Sequence, residues 1–106
     1  MDAIRQAEGF DWDEGNETKN WLKHRVSRSE CEEVFFNRPL VVAEDFEHSN
    51  AEDRFLVLGQ SDRGRRLFLV YVLRRNLIRV ISAREMTPRE RRAYEAAMVN
   101  EYEEST

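Results

Sequence analysis

The feature that most constrains the fold is a series of short apolar segments separated by turns. Four segments are rich in β-branched and aromatic residues, namely 40–43, 54–59, 67–73 and 77–82. The last three are joined by connections of hairpin length, at 61–64 and 74–76. A parallel pair of strands needs a crossover of about a dozen residues or more, so these connections predict a four-stranded antiparallel sheet.

Two helices are predicted before the strands. The first begins at the acidic segment 11–14, where the helix dipole favours carboxylates, and its apolar edge is supplied by Trp21, Leu22 and Val26. The second begins after Ser27, because Ser27 and Glu30 have the spacing of a capping box, and it buries Cys31.

A third helix is predicted after the strands, with Thr87 as its N-cap, Pro88 as its first residue and Glu90 completing a capping box. Its apolar face consists of Ala93, Tyr94, Ala97 and Met98. We expect the acidic tail, 101–106, to fray. Two N-terminal helices, four antiparallel strands and a C-terminal helix together predict an α+β fold in a single domain, 1–106.

Composition excludes several classes of protein. The chain has 106 residues and one cysteine, Cys31, which excludes a disulfide framework and a thiolate zinc site. No apolar run approaches the ~20 residues of a membrane helix. Asp2, Arg5 and Glu8 stand where a secretory signal would be apolar. We therefore expect a soluble cytoplasmic protein with no membrane contact, no cofactor and no metal ion.

Net charge alone argues against a nucleic-acid partner, but the charges are unevenly distributed. The formal net charge is −4, whereas nucleic-acid-binding domains are usually basic. Residues 1–53 contain 6 basic and 14 acidic residues, and residues 54–106 contain 11 arginines and 7 acidic residues. Because the guanidinium fork matches the geometry of phosphate, the second half of the chain is suited to nucleic acid.

Three arginines lie in or beside the apolar strands: Arg54, Arg79 and Arg84. Arg79 lies between Ile78 and Val80 and therefore projects from the opposite face of its strand. A charge there needs a partner or an anionic ligand. The partner could also come from the protein itself, through a salt bridge from Arg79 to Glu47, Glu52 or Asp53, in which case no ligand is needed. The arginines of the turns and of the last helix are interpreted as solvated surface.

Histidine gives a further candidate. His24 follows Lys23 at the end of the first helix, where the helix dipole favours cations. It is either a group that transfers protons near neutral pH or a helix-end residue with no chemical role. His48 is interpreted as a turn residue and Cys31 as a core residue.

Several short motifs occur in an order and spacing that resemble one known family. They are 10–13, 20–24, 26–27, 47–49, 52–54, Gly59, 64–65, 70–71, 78–84, Thr87, 90–91 and Tyr94. Together they resemble the BrnT toxins of bacterial type II toxin–antitoxin pairs, over a stretch from Phe10 to Tyr94.

This resemblance implies a RelE-like fold, in which a small antiparallel sheet is flanked by helices. It implies an endoribonuclease that blocks translation by cutting RNA. It also implies neutralisation by a BrnA-like antitoxin, whose ribbon-helix-helix part dimerises and binds DNA. We therefore expect a 2:2 heterotetramer that contacts operator DNA only through the antitoxin.

Metal-free RNA cleavage uses the ribose 2′-hydroxyl as nucleophile and needs a base, an acid and cations that stabilise the phosphorane. Under the resemblance, the candidate catalytic residues are His24, Arg54, Arg79 and Arg84. The candidate substrate-binding residues are Lys23, Arg65, Tyr71 and Glu52.

The predicted roles differ among these residues. His24 would be the acid or the base, and Lys23 would join the arginines in binding phosphate. Arg65 would contact the RNA backbone from the rim of a hairpin. Tyr71 would stack on a base or donate a hydrogen bond. Glu52 would be an alternative base or, as a structural residue, the partner of an arginine.

Two positions depart from the family pattern. Arg25 stands where the family usually has glycine, so the end of the first helix is either strained or a different turn. Asn16 stands where a lysine is frequent, which would weaken or alter activity if that lysine contacts RNA. The alternative function is a non-catalytic binding module that grips an acidic partner or acts only within an antitoxin–DNA repressor complex.

Overall fold

The structure is a computed structural model that describes residues 7–49 and 52–105. Its helices are α1 (Glu14–His24), α2 (Arg28–Val34) and α3 (Pro88–Ser105). Its strands are β1 (Gly9–Phe10), β2 (Val41–Glu44), β3 (Arg54–Gln60), β4 (Arg66–Arg74) and β5 (Leu77–Glu85). The N-terminal residues Asp2 and Arg5, and the side chains of Asn16 and Leu22, lie outside this description.

The strands form one mixed sheet in the order β1-β5-β4-β3-β2. The four predicted strands are present and pair antiparallel, which confirms the α+β class. The prediction of a purely four-stranded sheet is wrong, because β1 pairs with β5 in parallel. Two residues are too few to show an alternating pattern, so β1 is recognisable only from its backbone partners on β5.

One face of the sheet packs against α2. Along each strand, side chains alternate between the two faces, and Leu67, Leu69 and Tyr71 of β4 are fully buried on the α2 side. From α2, Cys31 and Val34 are also fully buried in this core. Cys31 is therefore a core residue, as predicted, and its burial raises the pKa of the thiol to about 12.

The helix α1 lies beside β5, at the edge that the short β1 does not cover. The buried Asn20 side chain accepts a hydrogen bond from the Ala83 amide at 3.1 Å, so α1 satisfies a backbone donor that a free strand edge would leave unpaired. The predicted apolar edge is confirmed at Val26, which is fully buried, but it is wrong at Trp21, which is 47% exposed.

The end of α1 and the start of α2 follow the local sequence. Arg25 has φ +56° and its amide donates to the Trp21 carbonyl at 2.9 Å, which is the left-handed C-cap usually made by glycine. Of the two predicted alternatives, the strained cap is therefore the one observed. Ser27 and Glu30 form the predicted capping box.

The helix α3 begins at a capping box and is held to the rest of the fold by Tyr94. Thr87 and Glu90 exchange the predicted capping-box hydrogen bonds. Tyr94 is fully buried and donates to the Pro39 carbonyl at 2.7 Å, but Ala93 of the predicted apolar face is exposed. The helical backbone continues to Ser105, further than the expected fraying from 101.

Gly59 allows α2 to approach β3 closely. A Cβ added at Gly59 would lie 2.5 Å from Cγ1 of Val34. We expect Gly59→Ala to lower the free energy of unfolding by about 1–3 kcal/mol through overpacking. In a Val34→Ala background the same change should cost less, because the obstructing methyl groups are gone. Urea denaturation of both single variants and the double variant measures the coupling, and strictly additive losses would contradict this packing.

The Arg84–Glu90 ion pair makes stability depend on pH. Arg84 donates to both Glu90 carboxylate oxygens, at 2.8 and 3.0 Å, and this hydrogen bonding lowers the pKa of Glu90. A lowered pKa in the folded state stabilises the protein above the unfolded-state value of about 4.3 and loses that effect as the pH falls through the lowered value.

Glu90→Gln is the matched test of this ion pair. The variant should be less stable than the natural chain at pH 7, by less than about 1 kcal/mol because the pair is partly exposed. The difference should shrink toward zero as the pH falls below about 4. Denaturation curves between pH 7 and pH 3 measure it, and a difference that stays constant over this range would show that the charge is not responsible.

Candidate functional site

All five arginines within β3, β4 and β5 lie on the face of the sheet opposite α2. We call this the arginine face and define it by Arg54, Arg66, Arg74, Arg79 and Arg84. The opposite face of these strands carries one charged residue, Glu85. The physical reason is that a guanidinium group buried under α2 would lose its hydration.

A β-bulge in β5 brings Arg79 and Arg84 to the same face. Val70 pairs with Ser82, whereas the next residue, Tyr71, pairs with Val80, so Ile81 is an extra residue in β5. Residues five positions apart in a regular strand point to opposite faces. The extra residue reverses this relation, as β-bulges do when they re-aim a side chain.

Arg54 and Arg79 lie in one cross-strand row, on either side of Val72. Two strand spacings place their Cα atoms about 10 Å apart, within reach of one another's side chains. The Nε atom of Arg54 is buried and has no hydrogen-bond partner in the part of the chain that the structure describes. A buried cationic donor of this kind is suited to an anion that enters from outside the protein.

The acids that neutralise Arg79 come from the segment between β1 and α1. Its guanidinium lies 3.6 Å from Asp11 and also bonds to Asp13. The sequence-based expectation of a partner among Glu47, Glu52 and Asp53 is therefore wrong. Sequence reasoning missed these partners because acidic residues before a helix are fully explained by the helix dipole.

Glu52 bonds to a different arginine of the same face. Arg74 donates to its two carboxylate oxygens at 2.8 and 3.0 Å. This hydrogen bonding lowers the pKa of Glu52, so the group has less affinity for a proton than an ordinary carboxylate. Of its predicted roles, pairing with an arginine is the one that the contacts display.

Arg84 stands on the arginine face further along the sheet. Its guanidinium lies 4.1 Å from the centre of the Phe68 ring and is paired with Glu90. Phe68 and Val72 are four positions apart in β4, so this arginine is about 13 Å from the Arg54–Arg79 row along the strand direction. The three arginines thus share a face without converging on one point.

Arg65 holds the connection between α1 and α2 against the sheet. Its guanidinium donates to the carbonyls of His24 and Arg25, at 3.2 and 2.8 Å. It also donates to the carboxylates of Glu30 and Glu85, both at 3.0 Å. These contacts give Arg65 a structural role, and its predicted contact with RNA stays a prediction.

His24 and Lys23 lie at the Arg65 end of the sheet. Because the His24 carbonyl contacts Arg65, which precedes β4, His24 is on the order of 15–20 Å along the strands from the Arg54–Arg79 row. The structure therefore does not bring His24 together with those two arginines. His48 is exposed and bonds to Asp45 at 2.9 Å, as its interpretation as a turn residue predicts.

Tyr71 belongs to the core. It is fully buried, its ring stacks on Phe55 with centroids 5.1 Å apart, and Phe35 meets it edge-on at 5.4 Å. The predicted stacking on a base does not fit this position. Strand alternation contains the signal, since Tyr71 has the same parity as the apolar Leu67 and Leu69.

No helix within 7–49 and 52–105 is long and apolar enough to cross a membrane. In the same part of the chain, no group of three or more His, Cys, Asp and Glu side chains is arranged to hold a metal ion.

Comparison with known proteins identifies the family. A family model described as the ribonuclease toxin BrnT of type II toxin–antitoxin systems matches residues 12–90. No curated protein matches the chain. The match extends from the segment before α1 into the first turn of α3 and includes every residue of the arginine face. The chain therefore belongs to the BrnT family of ribonuclease toxins from type II toxin–antitoxin systems.

Proposed function

We propose that this chain is a cytoplasmic endoribonuclease toxin that cleaves RNA on the arginine face without a metal ion. The observation that supports this most directly is the row formed by Arg54 and Arg79, in which the buried Arg54 Nε lacks a hydrogen-bond partner in the described part of the chain. Arginine recognises phosphate through paired N–H donors. Single-stranded RNA exposes both its phosphates and its bases to such a surface.

The reaction is transesterification at a backbone phosphorus. The ribose 2′-oxygen forms a bond to the adjacent phosphorus while a base takes its proton, and the bond from phosphorus to the 5′-oxygen breaks while an acid protonates that oxygen. The products are a 2′,3′-cyclic phosphate and a free 5′-hydroxyl. The phosphorane carries extra negative charge, which fixed cationic donors stabilise.

Arg54 and Arg79 would stabilise this phosphorane, because they flank the same point of the sheet. Arg84, with Phe68 beneath it, would hold a neighbouring part of the strand through charge and stacking. His24 stays the proposed acid or base and Lys23 a phosphate contact, although the distance of His24 from the row requires RNA that extends along the sheet or a local movement. Glu52 would hold Arg74 rather than transfer a proton.

A BrnA-like antitoxin with a ribbon-helix-helix part would neutralise this activity. Because such a part dimerises, one antitoxin dimer would hold two toxin chains in a 2:2 complex. Operator DNA would then be contacted through the antitoxin, and the acidic first half of the toxin would not need to approach DNA.

Variants of the row test the catalytic proposal. Arg54→Ala and Arg79→Ala should each reduce the cleavage rate about 100-fold or more, because each removes a donor from the developing charge. Arg92→Ala, at an exposed position of α3, is the matched control and should retain activity. The assay uses labelled single-stranded RNA and ribosome-bound messenger RNA in the presence of EDTA, with circular dichroism to verify folding.

The chemistry of the cut ends makes this test specific. Fragments with a 5′-hydroxyl accept a labelled phosphate from polynucleotide kinase without prior dephosphorylation. His24→Ala in the same assay decides whether His24 takes part in proton transfer. A folded chain that binds RNA or an acidic protein but leaves both RNA substrates intact would favour the non-catalytic binding module.

The acids around Arg79 should compete with RNA phosphate. We expect Asp13→Asn to tighten binding of RNA about two- to fivefold, since it frees a paired guanidinium. Fluorescence anisotropy with 2′-O-methyl RNA, which cannot be cleaved by this route, measures binding alone. Asp53→Asn changes the net charge equally at an exposed site, so an equal gain in both variants would contradict specific competition.

A further inference from the structure

The strand β2 is exposed on both of its faces. All four of its residues are exposed, including Val41 and Val42 at 37% and 36%. Their cross-strand partners show that these two valines point to opposite faces of the sheet, since Val41 lies opposite Leu58 and Val42 opposite Val57. Phe46, just beyond the strand, is 78% exposed.

One backbone edge of β2 is also free. The strand is the last in the order β1-β5-β4-β3-β2, and no strand of the described residues pairs with its outer side. Such an edge presents N–H and C=O groups that another extended chain can pair with. Backbone pairing supplies the affinity in this mode of recognition, and side chains supply the specificity.

The charges next to this edge are acidic. Glu44 and Glu47 are exposed and form no ion pair with any residue in the described ranges. Asp45 lies between them and pairs with His48. A segment that adds to β2 would therefore be favoured if it carried lysine or arginine beside these acids.

A second copy of this chain fits the edge poorly. A parallel pairing of β2 with β2 would bring Glu44 of one copy beside Glu44 of the other, where like charges repel. An antiparallel pairing would set Glu44 opposite Val41 instead. Either pairing would join only four residues from each chain. A basic segment of a different polypeptide avoids this repulsion and gains attraction to Glu44 and Glu47 instead.

We propose that the free edge of β2 binds an extended, basic and apolar segment of another polypeptide, which adds as a further strand of the sheet. That this polypeptide is the antitoxin rests on the proposed toxin function. The position suits neutralisation, because the Asp45 amide bonds to the Arg54 carbonyl at 2.7 Å. A chain leaving this edge is thus about 10 Å from Arg54, two strand spacings away, and can continue onto the arginine face.

A capped peptide, Lys-Lys-Val-Val-Val-Lys-Lys, tests the edge directly and fits it in either direction. Added to the full ¹⁵N-labelled chain at up to millimolar concentration, it should shift the backbone amide signals of Val41–Glu44 and slow their hydrogen exchange. The same peptide with glutamate in place of lysine should bind at least fivefold more weakly.

Charge reversal supplies the matched variants. Glu44→Lys with Glu47→Lys should weaken binding of the lysine peptide at least fivefold and strengthen that of the glutamate peptide. Glu8→Lys with Glu95→Lys, both at exposed positions elsewhere, changes the net charge equally and should leave both affinities within about twofold.

Three results would overturn the proposal: no protection of β2 amides at millimolar peptide, shifts confined to other surfaces, or a dimer formed through β2 without peptide. RNA cleavage is measured separately on the same samples. Cleavage without peptide binding would remove this inference and leave the proposed function intact. Binding without cleavage would keep the binding site on β2 but remove both the proposed function and the assignment of the partner as an antitoxin.

Discussion

The burial of one face of the sheet against α2 determines where the charges of the central strands lie. Leu67, Leu69 and Tyr71 fill that face of β4, and no guanidinium group can be placed among them without losing its hydration. Every arginine of β3, β4 and β5 therefore lies on the other face. The same packing that stabilises the fold also creates the basic surface that RNA cleavage would require.

Acidic residues from three different segments neutralise part of this surface before any ligand binds. Asp11 and Asp13 precede α1, Glu52 precedes β3, and Glu90 lies in the first turn of α3. The net charge of −4 is thus partly the counter-charge of the arginine face. Because partly exposed ion pairs contribute little to stability, the replacement of these carboxylates by phosphate that the proposed function requires would cost the fold little.

Local signals in the sequence predict local structure well here. The capping boxes at Ser27 and Thr87 begin α2 and α3 as their spacing requires, because a cap depends on residues only three positions apart. Contacts between distant parts of the chain are harder to predict from the sequence. The strand β1 forms only because it finds backbone partners on β5. The distance of His24 from Arg79 depends on where α1 lies along the sheet. The burial of Tyr71 is an intermediate case. The alternation of side chains along β4 predicts it, but tyrosine can also stack on a base or donate a hydrogen bond, so its residue type suggested a binding role.

The sequence by itself determined the order of the main helices and strands, the family, and the arginine-rich character of the second half. The order of elements and the arginine content follow from periodicity, capping and composition, which are properties of neighbouring residues, and the family follows from the resemblance of its ordered short motifs. Only the tertiary structure decided which arginines lie on the same face of the sheet. The extra residue Ile81 reverses the alternation of β5, so that Arg79 and Arg84 share a face that regular spacing would deny them. A bulge is fixed by pairing with the neighbouring strand, and that pairing exists only once the sheet has formed.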